Sequence, residues 1–146
     1  MYKKILIATD GSKISLQASR HGIKLAKAQN ADVIVLHVIN EKVISSVVSA
    51  LIHRGPSKED IRAKLRDSAE KSADEVVKMG DASGINIEPM IREGDPAGGI
   101  VEAAQIEGVD LIVMGSHGES GMTSKMLGSV AQKVLNWAEV PVLIVR

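Results

Sequence analysis

Five short apolar runs, at residues 4–8, 33–39, 85–91, 109–114 and 140–145, are separated by segments with a different period. The runs are rich in β-branched residues and too short for helices, so they read as strands buried on both faces. Between the first two, Leu16, Ser19, Ile23 and Ala26 share one helical face behind Ser12, a residue type that caps helix N-termini. Ile61, Leu65, Ala69, Ala73 and Val76 form a stripe on a second, charged helix. Asp95-Pro96 opens a third, with a capping side chain followed by proline where a missing N–H costs nothing, while Gly98 and Gly99 weaken it. A fourth begins near Gly128 and turns Val130, Val134 and Trp137 to one side. This alternation predicts an α/β fold: a mostly parallel sheet with helices on both faces. Such sheets bind ligands beyond the carboxyl ends of their strands, where the strand order reverses. The residues placed there are Thr9-Asp10-Gly11, His37-Val38-Ile39, Arg92-Glu93-Gly94 and Met114-Gly115-Ser116.

Residues 41–54 break the alternation, because Val43, Ile44, Val47, Val48, Leu51 and Ile52 repeat at helical spacing before Gly55-Pro56. The segment reads as an extra amphipathic helix that covers an end of the sheet, with a lid or a partner-binding helix as the alternatives. No internal repeat or low-complexity tract interrupts the chain, and its 146 residues suit a single domain, 1–146, that buries roughly 70% of its unfolded surface.

Composition narrows the chemistry. The absence of cysteine excludes thiolate metal sites, thiol catalysis and disulfides, and fits a reducing compartment. Eighteen basic residues balance eighteen acidic ones, and Tyr2 and Trp137 are the only aromatics. Both facts argue against a nucleic-acid partner, which calls for a basic surface and stacking platforms. No apolar run approaches the roughly 20 residues of a membrane span, and none has the form of a signal peptide. The expectation is a cytoplasmic protein with no membrane partner.

The strongest local signal follows the fourth strand: Gly115-Ser116-His117-Gly118, nine further residues, then Gly128-Ser129 at a helix start. Glycines let backbone N–H groups approach a ligand, and a helix N-terminus adds open donors and partial positive charge, a combination suited to a phosphate chain. The connection at 116–127 also exceeds the usual two to six residues, as functional loops do. The bland reading is a flexible turn ending in a glycine cap. The loop lacks the Gly-Lys-Ser/Thr of a Walker A motif and the first-strand position of a dinucleotide fingerprint.

Gly-x2-Gly-x9-Gly-Ser, formed by Gly115, Gly118, Gly128 and Ser129, resembles the nucleotide motif of the ATP-binding branch of the universal stress protein family. The resemblance spans nearly the whole chain: Lys3 to Ser12, Leu36-His37-Val38, Gly94-Asp95-Pro96-Ala97, Asp110 to Gly118, and Pro141 to Val145. It implies an open, doubly wound five-stranded parallel sheet of order 3-2-1-4-5. It also implies that Ala8, Thr9, Asp10 and Val38 border the adenosine, with Asp10 near the ribose or a phosphate-linked metal. By the same resemblance, Met114 and Gly115 are implied to line the nucleoside pocket, and Ser116, His117, Gly118, Gly128, Ser129 and Val130 to surround the phosphates. Glu119-Ser120-Gly121-Met122 and Gly98-Gly99 vary from the commonest family forms and leave the motif glycines intact. Gly121 bears on closure of the phosphate loop.

Asp10 reads as a turn or helix cap, as a group that accepts ribose hydroxyls or holds Mg²⁺ through water, or as both. Lys125 reads as a solvated lysine before a phosphate contact, and the backbone N–H of His117 matters more than its ring. His37 reads as a satisfied core or strand-end histidine before a ligand. His21 and His53 have no partners at metal spacing, so no histidine metal site is expected. An ATPase needs groups that orient water and stabilise transferred charge, and no such set is identified. The reading is therefore a regulatory module in which an adenine nucleotide, ATP, ADP or AMP with Mg²⁺, orders residues 116–128 and 41–54 and changes a surface seen by a downstream protein. Hydrolysis, if any, is slow; the alternative is a non-nucleotide dimeric interaction module. A flavoprotein lacks the aromatics to flank its ring here. A phospho-receiver lacks its acceptor aspartate, with Arg92-Glu93 in that place. The last run, 140–145, carries Pro141 and suits an exposed sheet edge. Family members dimerise through this strand, which implies a symmetric homodimer.

Overall fold

The computed structural model describes residues 1–118 and 126–146. It contains one five-stranded parallel sheet in the order β3-β2-β1-β4-β5. The strands are β1 (Lys4–Ala8), β2 (Asp32–Asn40), β3 (Ile87–Gly94), β4 (Leu111–Gly115) and β5 (Val142–Val145). Between them run α1 (Lys13–Gln29), α2 (Glu41–Leu51), α3 (Lys58–Ala82), α4 (Pro96–Ile106) and α5 (Ser129–Trp137). The α/β class and the order implied by the family resemblance both hold.

Strand parity divides the core in two. Ile5, Ile7, Val33, Val35 and Val113 face α1 and α3, whereas Leu6, Ile34, Leu36 and Ile112 face α4 and α5. The order reverses between β1 and β4, so the carboxyl ends of these two strands form the switch point. At the opposite end, Asp110 accepts hydrogen bonds from Lys3 N (2.9 Å) and Lys4 N (3.2 Å). These bonds hold its carboxyl below the usual carboxylate range and tie the start of β1 to β4.

Three helix starts follow from capping side chains. Ser12 Oγ accepts from Ser15 N at 3.2 Å, Asp95 Oδ2 accepts from Gly98 N at 2.9 Å ahead of Pro96, and Ser57 with Asp60 forms a capping box on α3. The extra helix is also present: α2 leaves β2 with no intervening loop, and Asn40 Oδ1 accepts from Lys42 N at 2.9 Å. A 3₁₀ turn at Ile52–Arg54 ends it. Of its apolar stripe only Ile44 is buried, in a small cluster with Ile39 and Ala69. That cluster places α2 over the α3 side of the sheet end.

Four expectations need correction. The third, fourth and fifth strands begin two residues later than the apolar runs, at Ile87, Leu111 and Val142, because Ile85, Val109 and Val140 lie in the approaches and pack from there. β3 and β5 are not buried on both faces. As edge strands they expose Glu88, Pro89, Arg92 and Leu143. Trp137 is 49% exposed, and α5 buries Ala131 and Val134 instead. Gly99 does more than weaken α4: a Cβ there would lie 3.0–3.1 Å from both methyl carbons of Val38, so the glycine lets α4 approach β2 closely.

Candidate functional site

A cavity of about 600 Å³ opens at the switch point, where the ends of β1, β2 and β4 meet the first turn of α5. Its size is ordinary for a small-molecule site. At the end of β1, Thr9 is buried and its hydroxyl is engaged internally, 3.1 Å from Ser15 Oγ and accepting from Gly11 N at 3.2 Å. Gly11 turns the chain with φ +83°, a conformation that L side chains rarely adopt. Asp10 is exposed; its Oδ1 accepts from Ser12 N at 2.9 Å, which makes it a turn cap and leaves the helix cap to Ser12. Its Oδ2 touches the position that a Cβ on Gly118 would take.

Across the reversal, Met114 and Gly115 end β4, and Gly115 packs so closely under Ile14 that a Cβ would lie 3.2 Å from it. The described ends of the loop are pinned together: Ser116 N donates to Val145 O at 2.8 Å, and Gly128 N donates to Ser116 O at 2.7 Å. Gly128 is the N-cap of α5, and among the described residues no side chain caps that helix, whose first turn lines the cavity beside Gly118. Glu119, Ser120, Gly121, Met122 and Lys125 lie outside the described residues.

The cavity brings together Ala8, Thr9, Asp10, Val38, Met114, Gly115, His117, Gly118, Gly128, Ser129 and Val130. Ser116 departs from the expectation. It is fully buried, lies outside the lining, and serves through its main chain while its Oγ has no partner among the described residues. His117 Nδ1 lies 3.3 Å from the Gly118 carbonyl, so its ring folds back on the loop. Arg92 and Glu93 are not part of this cavity. Glu93 and Gly94 instead line a second opening of about 540 Å³ between α2, α3 and β3, where Arg62 pairs with Glu93 at 3.5 Å. Leu36, Pro96, Ile100 and Ala131 join the lining on the α4–α5 face, and Leu65, Ser68, Ala69 and Ser72 on the α3 face. The α3 set was recognisable only as the i, i+3, i+4, i+7 spacing of one helix face.

His37 was expected to be satisfied, and it is not: its Nδ1 is buried with no hydrogen-bond partner among the described residues. Burial pushes its pKa below the ordinary histidine value, and the Asp10 carboxylate opposes this only in part. Above about pH 6.5 folded and unfolded chains both carry a neutral ring, so His37 adds no pH dependence there. Below it the unfolded chain takes the proton first, and stability falls with pH until the folded ring titrates. Wild type should therefore lose more of its urea midpoint than His37→Gln between pH 7.5 and pH 5.5. Equal losses would contradict the burial effect.

Among the described residues no three His, Cys, Asp or Glu side chains gather as a metal centre, and Asp10 is the one acid of the cavity lining. The arrangement offers an apolar wall, a backbone donor cradle and one carboxylate at the switch point of an open α/β sheet.

The universal stress protein family model matches residues 1–146. The chain belongs to the universal stress protein family. Among its relatives, universal stress protein MJ0531 of Methanocaldococcus jannaschii is 39% identical over 146 residues, covering all of this chain and 83% of that protein. Universal stress protein YxiE of Bacillus subtilis is 36% identical over 148 residues, covering both in full. The solved structure of MJ0577 superposes with a TM-score of 0.84 at 35% identity, over 99% of this chain and 96% of that one. A universal stress protein in complex with cAMP superposes with a TM-score of 0.72 at 27% identity, over 99% of this chain and 97% of that one.

Proposed function

We propose that this chain, as one domain over residues 1–146, is an adenine-nucleotide-binding regulator of the stress response, in which bound ATP, ADP or AMP acts as a conformational switch on a homodimer. The observation that carries this reading is the glycine cradle at the phosphate seat. Gly118 and Gly128 face it with backbone only, and among the described residues no side chain caps the first turn of α5. Val38, Ile100 and Met114 supply the apolar wall for the nucleoside, and the cAMP complex of a relative is consistent with an adenine nucleotide.

The donor set fits Mg²⁺ in its usual mode, through one carboxylate, water and ligand phosphates. Asp10 would hold it, and the ion would neutralise phosphate charge. Neither arginine nor glutamine lines the described cavity, so hydrolysis should run at the rate of a switch. The switch would act through 116–128 and 41–54 on a downstream protein in the cytoplasm. Among the described residues no helix is long and apolar enough to cross a membrane. Calorimetric titration of nucleotide-stripped protein with Mg-ATP should give micromolar or tighter binding. An absence of heat, confirmed by a second binding assay, would leave a dimeric interaction module.

The homodimer reading rests on β5, an edge strand whose outer backbone is open to pairing. Leu143 on this strand and Trp137 nearby on α5 are exposed. Light scattering at micromolar concentration should give twice the 15.5 kDa chain mass. A monomer would overturn the assignment.

A further inference from the structure

The nucleotide reading uses only part of the cavity. The lining continues past Asp10 onto the opposite face of the sheet, between β2 and α3, where His37, Ser68 and Ser72 meet Ile39, Leu65 and Ala69. Strand parity creates this lobe: Val38 points to the α4 face, and His37, following Val33 and Val35, points to the α3 face. Its polar groups are uncharged hydrogen-bonding groups. Ser72 Oγ donates to Ser68 O at 3.1 Å, and among the described residues no hydrogen bond to the Nδ1 of His37 fixes the tautomer of its ring. No lysine or arginine lines the lobe among the described residues, and the start of α1 beside it is capped by Ser12, so it is unsuited to phosphate. Aliphatic walls with neutral donors and acceptors suit the face and edge of a base and the hydroxyls of a ribose. The phosphate seat adjoins this region, because Gly118 lies against Asp10 and Asp10 borders the lobe.

We propose that the α3-side lobe is a second nucleoside subsite, so that the full ligand class is a dinucleoside polyphosphate whose first nucleoside and phosphates occupy the switch-point seat. The inference rests on the nucleotide reading above. His37 is its specificity residue, offering one ring nitrogen to the second base or ribose.

The test compares ATP with di(adenosine-5′) tetraphosphate by calorimetry on wild type, His37→Leu and Ser68→Leu. Ser68 is exposed on a helix, so leucine there fills the mouth of the lobe without disturbing the core. In wild type the dinucleotide should bind at least tenfold more tightly than ATP. That advantage should vanish in Ser68→Leu and shrink in His37→Leu, while ATP affinity stays within twofold. The ring ¹⁵N signals of His37, assigned through the variant, should shift with the dinucleotide and not with ATP. ATP binding with no dinucleotide advantage, or an advantage that survives Ser68→Leu, overturns the second subsite alone. Failure of both ligands to bind overturns the nucleotide reading and the subsite together.

Discussion

Gly128→Val should bind Mg-ATP at least 100-fold more weakly than wild type, a loss of about 2.8 kcal/mol at the usual conversion of ~1.4 kcal/mol per tenfold. The cause is steric rather than conformational. Gly128 has φ −67° and ψ 162°, an extended conformation open to any residue, so a side chain meets no backbone strain. It meets the facing strand of the loop instead: a Cβ would lie 3.1 Å from His117 Cα and 3.4 Å from Ser116 O. The branches of valine would either occupy the seat or push residues 116–118 away and lengthen the 2.7 Å bond from Gly128 N to Ser116 O. Loss of a favourable N-cap residue costs about 1 kcal/mol, too little to unfold a domain of ordinary stability. Circular dichroism should therefore be unchanged while the calorimetric signal disappears. Undiminished binding by this variant would show that the glycine cradle is structural.

Much of this site was legible because the relevant physics is local. The Gly115 to Ser129 spacing shows directly where backbone must come close, and the Asp95-Pro96 pair marks a helix start at its own residue. Parity along β2 assigns Val38 and His37 to opposite faces without any knowledge of what covers them. What could not be read is non-local. The β3 run looks like a central strand in hydropathy, and only the order β3-β2-β1-β4-β5 makes it an edge, whereas Pro141 marks the edge position of β5. The burial of Ser116 depends on pairing between β4 and β5, whose main chains reach it through Val145 O. Ser68 and Ser72 join the cavity because the end of β2 lies under α3, a tertiary contact that no local serine pattern announces.

The same dependence on close approach governs stability at the opposite side of β1, where α1 crosses the sheet. Gly22 lies against the fully buried Ile7, and a Cβ on Gly22 would sit 2.8 Å from both Cγ1 and Cδ1 of that side chain. In an exposed helix, replacing glycine with a residue of better helix propensity gains up to ~1 kcal/mol. Here the gain is outweighed, because inserting methyl groups into a filled core costs typically ~1–3 kcal/mol and occasionally more. Ile7 cannot yield cheaply, since it is 0% exposed and Val113 stands 3.6 Å from the same added atom. Gly22→Val should fall at the upper end, roughly 3 kcal/mol, lowering the melting temperature by roughly 6–12 °C at ~2–4 °C per kcal/mol. Ile7→Val alone should cost ~0.5–1.5 kcal/mol by leaving a small void. Combined, the two should cost less than their sum by ~0.5 kcal/mol or more, because removing Cδ1 makes room for the new side chain. Urea unfolding of all four members of the cycle tests this, and strict additivity would show that the helix shifts as a body instead of pressing on Ile7.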